Sequence, residues 1–177
     1  MIEAGKARAA ASGVQVDYRQ QRAEAFVTDE DFDAAICLFT TLGQITPAGE
    51  NSSLISRVFA ALKPDGQFVV EVPQRETAVR NLIPAEKIGN GDRPTYISRQ
   101  FDPADNTLSE FFSRQTPEGV QEFMLRYRLF SLAELSGRLV EAGFAIQAVY
   151  ANYEPTPLTA DSAVMVFFAV KPQQYSQ

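Results

Sequence analysis

Thr40-Thr41-Leu42-Gly43-Gln44 is the stretch best placed to meet a ligand. It follows directly on Asp33 to Phe39, an apolar run that reads as a strand. In open α/β sheets, ligands bind beyond the carboxyl ends of strands. The same five residues also suit an ordinary strand-to-helix loop. A second candidate set is Arg99, Arg126, Tyr127 and Arg128, where charged and aromatic residues interleave. These side chains suit contact with a substrate; each alone is explained more simply as a solvated strand-face group.

Absences narrow the chemistry. The chain has no histidine, so it cannot by itself build Ser-His-Asp or Cys-His nucleophilic machinery or the common His/Cys zinc sites. Its one cysteine, Cys37, sits in the middle of Ala34-Ala35-Ile36-Cys37-Leu38-Phe39 and reads as core packing, with no internal disulfide available to it. No EF-hand or paired-aspartate spacing appears. Gly89-Asn90-Gly91-Asp92 looks like a phosphate cradle only superficially, since no strand leads into it and Pro94 follows.

The elements that must position these residues are legible from periodicity. Ser53 to Leu62 carries one apolar helical face through Leu54, Ile55, Val58, Phe59 and Leu62. Pro64-Asp65-Gly66 stops that helix in a tight turn, with Gly66 expected to take the positive φ. Phe68, Val69, Val70 and Val72 then form a strand covered on both faces. Strand, helix, turn and strand make a βαβ crossover, the unit of doubly wound folds. Upstream, Met1 to Ser12 reads as a helix capped at Gly13, Val14 to Arg19 as a short strand, and Gln20 to Asp31 as a loop.

Pro73 to Ile88 carries helical signals broken at Pro84. Thr95 to Phe101, Thr107 to Arg114 and Val120 to Phe130 read as three strands joined by turns, an antiparallel meander with one face over a pocket and the other toward water. Ser131-Leu132-Ala133-Glu134 is a capping box, opening a helix with Leu132, Leu135, Leu139 and Val140 on its buried stripe and Gly143 at its end. Phe144 to Tyr150 and Ser162 to Val170 follow as strands joined by a loop, hence antiparallel.

At 177 residues the chain suits one domain, spanning 1–177, with 95–130 as an inserted cap. Hydrophobic content of 45% and charged content of 21% are those of an ordinary globular protein. A net charge of −6 argues against a general nucleic-acid grip. No run is long enough for a membrane span, and no signal-peptide pattern opens the chain, so the expected place is the cytoplasm.

The strings FDAAICLFTTLGQI (Phe32 to Ile45), LKPDGQFVVEV (Leu62 to Val72) and FSLAELSGRLVEAGF (Phe130 to Phe144), with the closing VYANYE and DSAVMVFFAVKP, resemble the class I S-adenosylmethionine-dependent methyltransferases. The resemblance implies a Rossmann-like sheet, a cap of the small-molecule type and a C-terminal antiparallel hairpin. It implies S-adenosylmethionine as cofactor and a small-molecule methyl acceptor. Thr40, Thr41, Leu42 and Gly43 would border the cofactor's methionine portion, and Gln21 and Arg22 its adenine. Tyr96, Arg99 and Tyr127 would face the acceptor. The family's glycine-rich first turn and the acidic residue that holds the ribose do not appear. The pattern thus reads as the family's sheet without its first two strands, with the strand Asp33 to Phe39 left as an open edge, so that the chain is expected to dimerise through it, to rearrange its first segment, or to be marginally stable. The competing reading is a non-catalytic methyltransferase-like module that serves interaction or dimerisation.

Overall fold

Phe68, Val70 and Val72 are each completely buried, and the strand that carries them is hydrogen-bonded on both sides. In the computed structural model, which describes residues 2–28, 31–44, 50–89 and 93–173, this strand is β2 (Leu62–Pro73). On one side it pairs in parallel with β1 (Phe32–Cys37). On the other it pairs antiparallel with β8 (Val164–Val170), and β8 with β7 (Ala145–Tyr150). The order β1-β2-β8-β7 is a mixed sheet, and β1 is its edge among the described residues.

Two helices cover one face of this sheet. The chain crosses from β1 to β2 through α2 (Glu50–Ala61), and α4 (Leu132–Glu141) precedes β7. Leu54 and Ile55 from α2 and Leu135 and Leu139 from α4 meet Phe68, Val70, Val72, Met165 and Phe167 in one core. The register explains the match. Val70 lies opposite Phe167 and Val72 opposite Met165, so these side chains share a face. The opposite face is more open: Ile36 is 70% exposed, while Val69 and Phe168 are half-buried.

The remaining strands form a separate antiparallel sheet in simple order: β3 (Ala85–Ile88), β4 (Thr95–Asp102), β5 (Thr107–Thr116) and β6 (Gly119–Arg128). A short helix, α3 (Arg75–Arg80), leads from β2 to this meander. The two sheets are tied by backbone bonds: Arg128 N–H donates to the Gly43 carbonyl at 2.9 Å, and Arg75 N–H to the Phe130 carbonyl at 3.1 Å.

Several expectations are corrected. Val14 to Arg19 is not a strand: it has no ladder partner among the described residues, and Val14 and Val16 are half-exposed or more. Alternation describes a face, but a strand also needs a second chain segment to bond to. The preceding helix does form, as α1 (Ile2–Ala11), with Gly13 at φ 65 just past it and no buried side chain. Ala85 to Ile88 is a strand, because β4 offers its edge to it. The Pro64-Asp65-Gly66 stretch expected as a turn lies inside β2, and its positive φ falls on Asp65 (64°), not Gly66. Gly66 is needed for space: a Cβ there would sit 2.7 Å from the Lys63 carbonyl oxygen.

Ser131 caps α4 as expected, its hydroxyl accepting from Glu134 N–H at 3.1 Å. The Glu134 carboxylate does not complete the box. It is held by Arg128 at 2.8 Å and Arg138 at 3.1 Å, charge-assisted bonds stronger than one to a neutral amide. Leu132 and Val140 are 42% and 59% exposed, so the buried stripe is Leu135 and Leu139 alone. Val140 lies about 100° round the helix from Leu139, which turns it off the core. Residues 90–92 of the glycine-rich stretch lie outside the described residues.

Replacing Phe68 with alanine will cost about 3–5 kcal/mol in urea unfolding, a large-to-small change in a closed core. Leu132→Ala will stay within about 0.5 kcal/mol, the usual range for a surface change. Cys37 gives a pH-dependent check. Burial pushes its thiol up to about 11 from 9.0. The unfolded chain therefore loses this proton first as pH rises. Stability from this group is fully present below pH 9.0 and declines as pH rises to about 11, by at most about 1.4 kcal/mol per pH unit. A Cys37→Ala variant will show a shallower decline over that interval in urea titrations.

Candidate functional site

The loop after β1 turns sharply. Phe39 has φ 56 and Thr40 φ 61, a left-handed pair with no glycine in it. Non-glycine residues hold such angles only where the surroundings fix them, and they cluster at ligand sites. Here the surroundings are identifiable. Phe39 N–H donates to Glu71 Oε2 at 3.2 Å, and Thr41 Oγ1 donates to the Leu38 carbonyl at 2.7 Å. Leu42 is fully buried and anchors the loop in the core. Gly43 is buried against the meander, where a Cβ would sit 2.7 Å from the Arg128 carbonyl oxygen.

Glu71 supplies the acidic group of this place. Five residues after Gly66 on β2, it faces away from the helix-covered core, on the same side of the strand as Val69. Tyr153, from the loop between β7 and β8, donates its hydroxyl to the same Oε2 that Phe39 N–H reaches. That hydrogen bond raises the Tyr153 hydroxyl above its ordinary range, so the phenol remains a donor. Two separate chain segments thus converge on one half-buried carboxylate carried by a third. The arrangement can hold a positive charge, or accept a proton from one.

Of the residues singled out in the sequence, Phe39's neighbours are Thr40, half-buried, and Thr41, exposed at this loop's surface. Leu42 and Gly43 shape it from beneath. Gln21 and Arg22 are elsewhere. Gln21 lines a cavity of about 440 Å³ with Asp17, Arg19, Phe26, Phe32 and Leu54, which takes in no residue of the 38–44 loop. Arg22 is exposed and precedes a 3₁₀ turn at Ala23–Ala25.

The three acceptor candidates are divided. Arg99 and Tyr127 come together around Glu110: Arg99 Nε bonds Oε1 at 2.5 Å, and Tyr127 donates to Oε2 at 3.1 Å. Arg99 also pairs with Glu86 at 2.5 Å. These groups line a cavity of about 230 Å³ with Ala78, Leu82 and Leu108. Burial, with Glu110 beside it, pushes the Tyr127 hydroxyl well up. Tyr96 stands on the other face of the meander, half-exposed, because residues three apart on a strand point to opposite sides.

Sequence reasoning missed Glu71 and Tyr153. The available signal for Glu71 was its charge, the only one in the run Phe68 to Val72. Tyr153 carried none, since its loop meets Glu71 only through the hairpin. Among the described residues there is no cluster of His, Cys, Asp and Glu that could hold a metal ion, and no helix long and apolar enough to cross a membrane.

No protein-family model and no curated protein matches the sequence. Solved structures do. An S-adenosylmethionine-dependent methyltransferase from Clostridium acetobutylicum superposes with a TM-score of 0.86 over 97% of this chain and 71% of its own, at 13% identity. The CcbJ methyltransferase from Streptomyces caelestis gives 0.82 over 95% and 69%, at 20% identity. The sugar N-methyltransferase KedS8 from a Streptoalloteichus species gives 0.62 over 94% and 67%, at 14% identity. The βαβ unit, the antiparallel meander and the closing hairpin thus recur together, and the chain has the Rossmann-like fold of the S-adenosylmethionine-dependent methyltransferases.

Proposed function

We propose that this chain takes part in S-adenosylmethionine-dependent methyl transfer to a small-molecule acceptor, at the loop beyond β1. The likeness of 97% of the chain to the Clostridium methyltransferase carries this reading. The turn at Phe39 and Thr40 and the Glu71 carboxylate support the same end of the sheet as the place.

The residues present fit the reactive end of such a cofactor. That cofactor, when bound, supplies a methyl group on a positively charged sulfur. Thr40 and Thr41 would border its methionine portion, with Leu42 and Gly43 fixing the loop beneath. A half-buried carboxylate favours a positive charge nearby. Methyl transfer needs an aligned acceptor in a water-poor pocket more than it needs elaborate acid–base groups, so the lack of histidine is no obstacle. Glu71, with Tyr153 donating to it, would hold an acceptor amine and take up the proton that the amine releases as its lone pair bonds the methyl carbon. The sugar acceptor of KedS8 makes an amino sugar the class to test first.

The meander would act as a cap, with Arg99 and Tyr127 shaping the acceptor side through their ion cluster. For the adenine end, Gln21 in its cavity is the polar group offered. The setting is taken to be the cytoplasm. The outer side of β1, unpaired among the described residues, with Ile36 70% exposed, supports a second reading: a module that pairs through this edge with another copy.

Calorimetric titration of the chain with S-adenosylmethionine and S-adenosylhomocysteine separates the two readings. Micromolar binding of both is expected for the enzyme. Absence of binding by a chain that melts cooperatively sinks it and leaves the module. In methyl-transfer assays on amino sugars, Glu71→Gln will lower kcat by about 100-fold, the lower end of general-base contributions.

A further inference from the structure

The face of the meander that carries Tyr96 lies opposite the Arg99, Glu110 and Tyr127 cluster. Two rungs of its ladder form a hollow of about 750 Å³. One rung runs Lys87, Tyr96, Ser113, Glu122 across β3 to β6. The next runs Ala85, Ser98, Phe111, Met124. Tyr96, Phe111 and Met124 are 50%, 45% and 54% exposed, a grouping of large apolar side chains that marks an interaction surface. Glu122 lies six residues along β6 from Arg128, which bonds the loop beyond β1, so the hollow is about 20 Å up the meander from that junction.

We infer that this face is a contact between two copies of the chain, packed sheet against sheet about a twofold axis that lies midway between the two sheets and runs parallel to the strands, over the gap between β4 and β5. Such an axis sets β3 over the partner's β6 and β4 over its β5, rung on the same rung. Lys87 then meets the second copy's Glu122, and Glu122 meets its Lys87. Neither has an ion-pair partner among the described residues of its own chain. Tyr96 faces Ser113, Phe111 faces Ser98, and Met124 faces Ala85. At each of these positions a large side chain from one sheet meets a small one from the other, as sheets packed about 10 Å apart require.

Charge selects this axis over its alternative. A twofold axis across the strands would also oppose some large and small residues. It would set Lys87 over Ala85 and Glu122 over Met124, covering both charges with apolar side chains. Desolvating an unpaired charge is costly, and pairing it fixes register. A second copy also suits the surface better than a small ligand does. The hollow is an open sheet face, and its two charges stand on its outermost strands, with β4 and β5 between them.

The test is sedimentation equilibrium on the full chain and on Lys87→Glu, Glu122→Lys and the doubly exchanged K87E/E122K chain, each also carrying Ile36→Lys so that pairing through the β1 edge does not contribute. The Ile36→Lys parent will be a dimer at micromolar concentrations. Each single reversal places like charges together twice per dimer and will weaken association at least about tenfold, while the double exchange restores it to within about threefold. Recovery in the double exchange also shows that the single variants fail at the contact and not in folding. A parent that is monomeric at about 100 μM, near the weak end of specific association, overturns the inference. So does a dimer that the single reversals leave unmoved. Met124→Asp is the second probe, and it will dissociate the dimer. If it leaves sedimentation unchanged and abolishes binding of the methyl acceptor, the hollow belongs to a small molecule and the inference fails.

Discussion

The structure depends on the double pairing of β2. From Gln67 to Val70 its backbone is bonded to β1 on one side and β8 on the other. A strand so enclosed has no edge to offer water, and its side chains must be satisfied above and below the sheet. Phe68, Val70 and Val72 are satisfied by α2 and α4. On the other side the strand carries Val69 and then Glu71, and the charge is tolerated because Phe39 N–H and the Tyr153 hydroxyl reach it. The core and the candidate site are therefore two faces of one strand.

A second constraint binds the meander to that strand's neighbourhood. Gly43 lies so close to Arg128 that no side chain fits between them, and their backbones are bonded there. Arg128 then turns its guanidinium to Glu134 in the first turn of α4, where Arg138 and Arg75 also gather. The guanidinium groups of Arg128 and Arg138 lie over the Phe130 ring at 5.8 and 5.7 Å. The loop beyond β1, the base of the meander and the start of α4 are thereby positioned together. Movement of the meander on this anchor would be felt at Thr40 and Thr41, which connects cap and loop physically.

Elements whose signals are local were legible in the chain alone. The apolar run of β2, the helical stripe of α2, the turns of the meander and the Ser131 cap each depend on residues a few positions apart, and each is found where periodicity and turn chemistry put it. Even the loop beyond β1 was legible as a site candidate, because its place follows from the strand before it. Local signals misled where an element depends on a distant partner. Val14 to Arg19 alternates like a strand but pairs with no other segment among the described residues, while Ala85 to Ile88 looks helical and becomes a strand because β4 is beside it.

Tertiary structure alone decided which side chains meet. Glu71 and Tyr153 are 82 residues apart in the chain and share a hydrogen bond. Glu134 fits a capping box, yet three arginines from separate elements claim its carboxylate. Tyr96 and Arg99 are neighbours in sequence and stand on opposite faces of one strand, so one belongs to an ion cluster and the other to an open hollow. Sequence spacing specifies how a segment folds on itself. Which carboxylate is reached by which donor depends on sheet order and register, and those are set by long-range pairing.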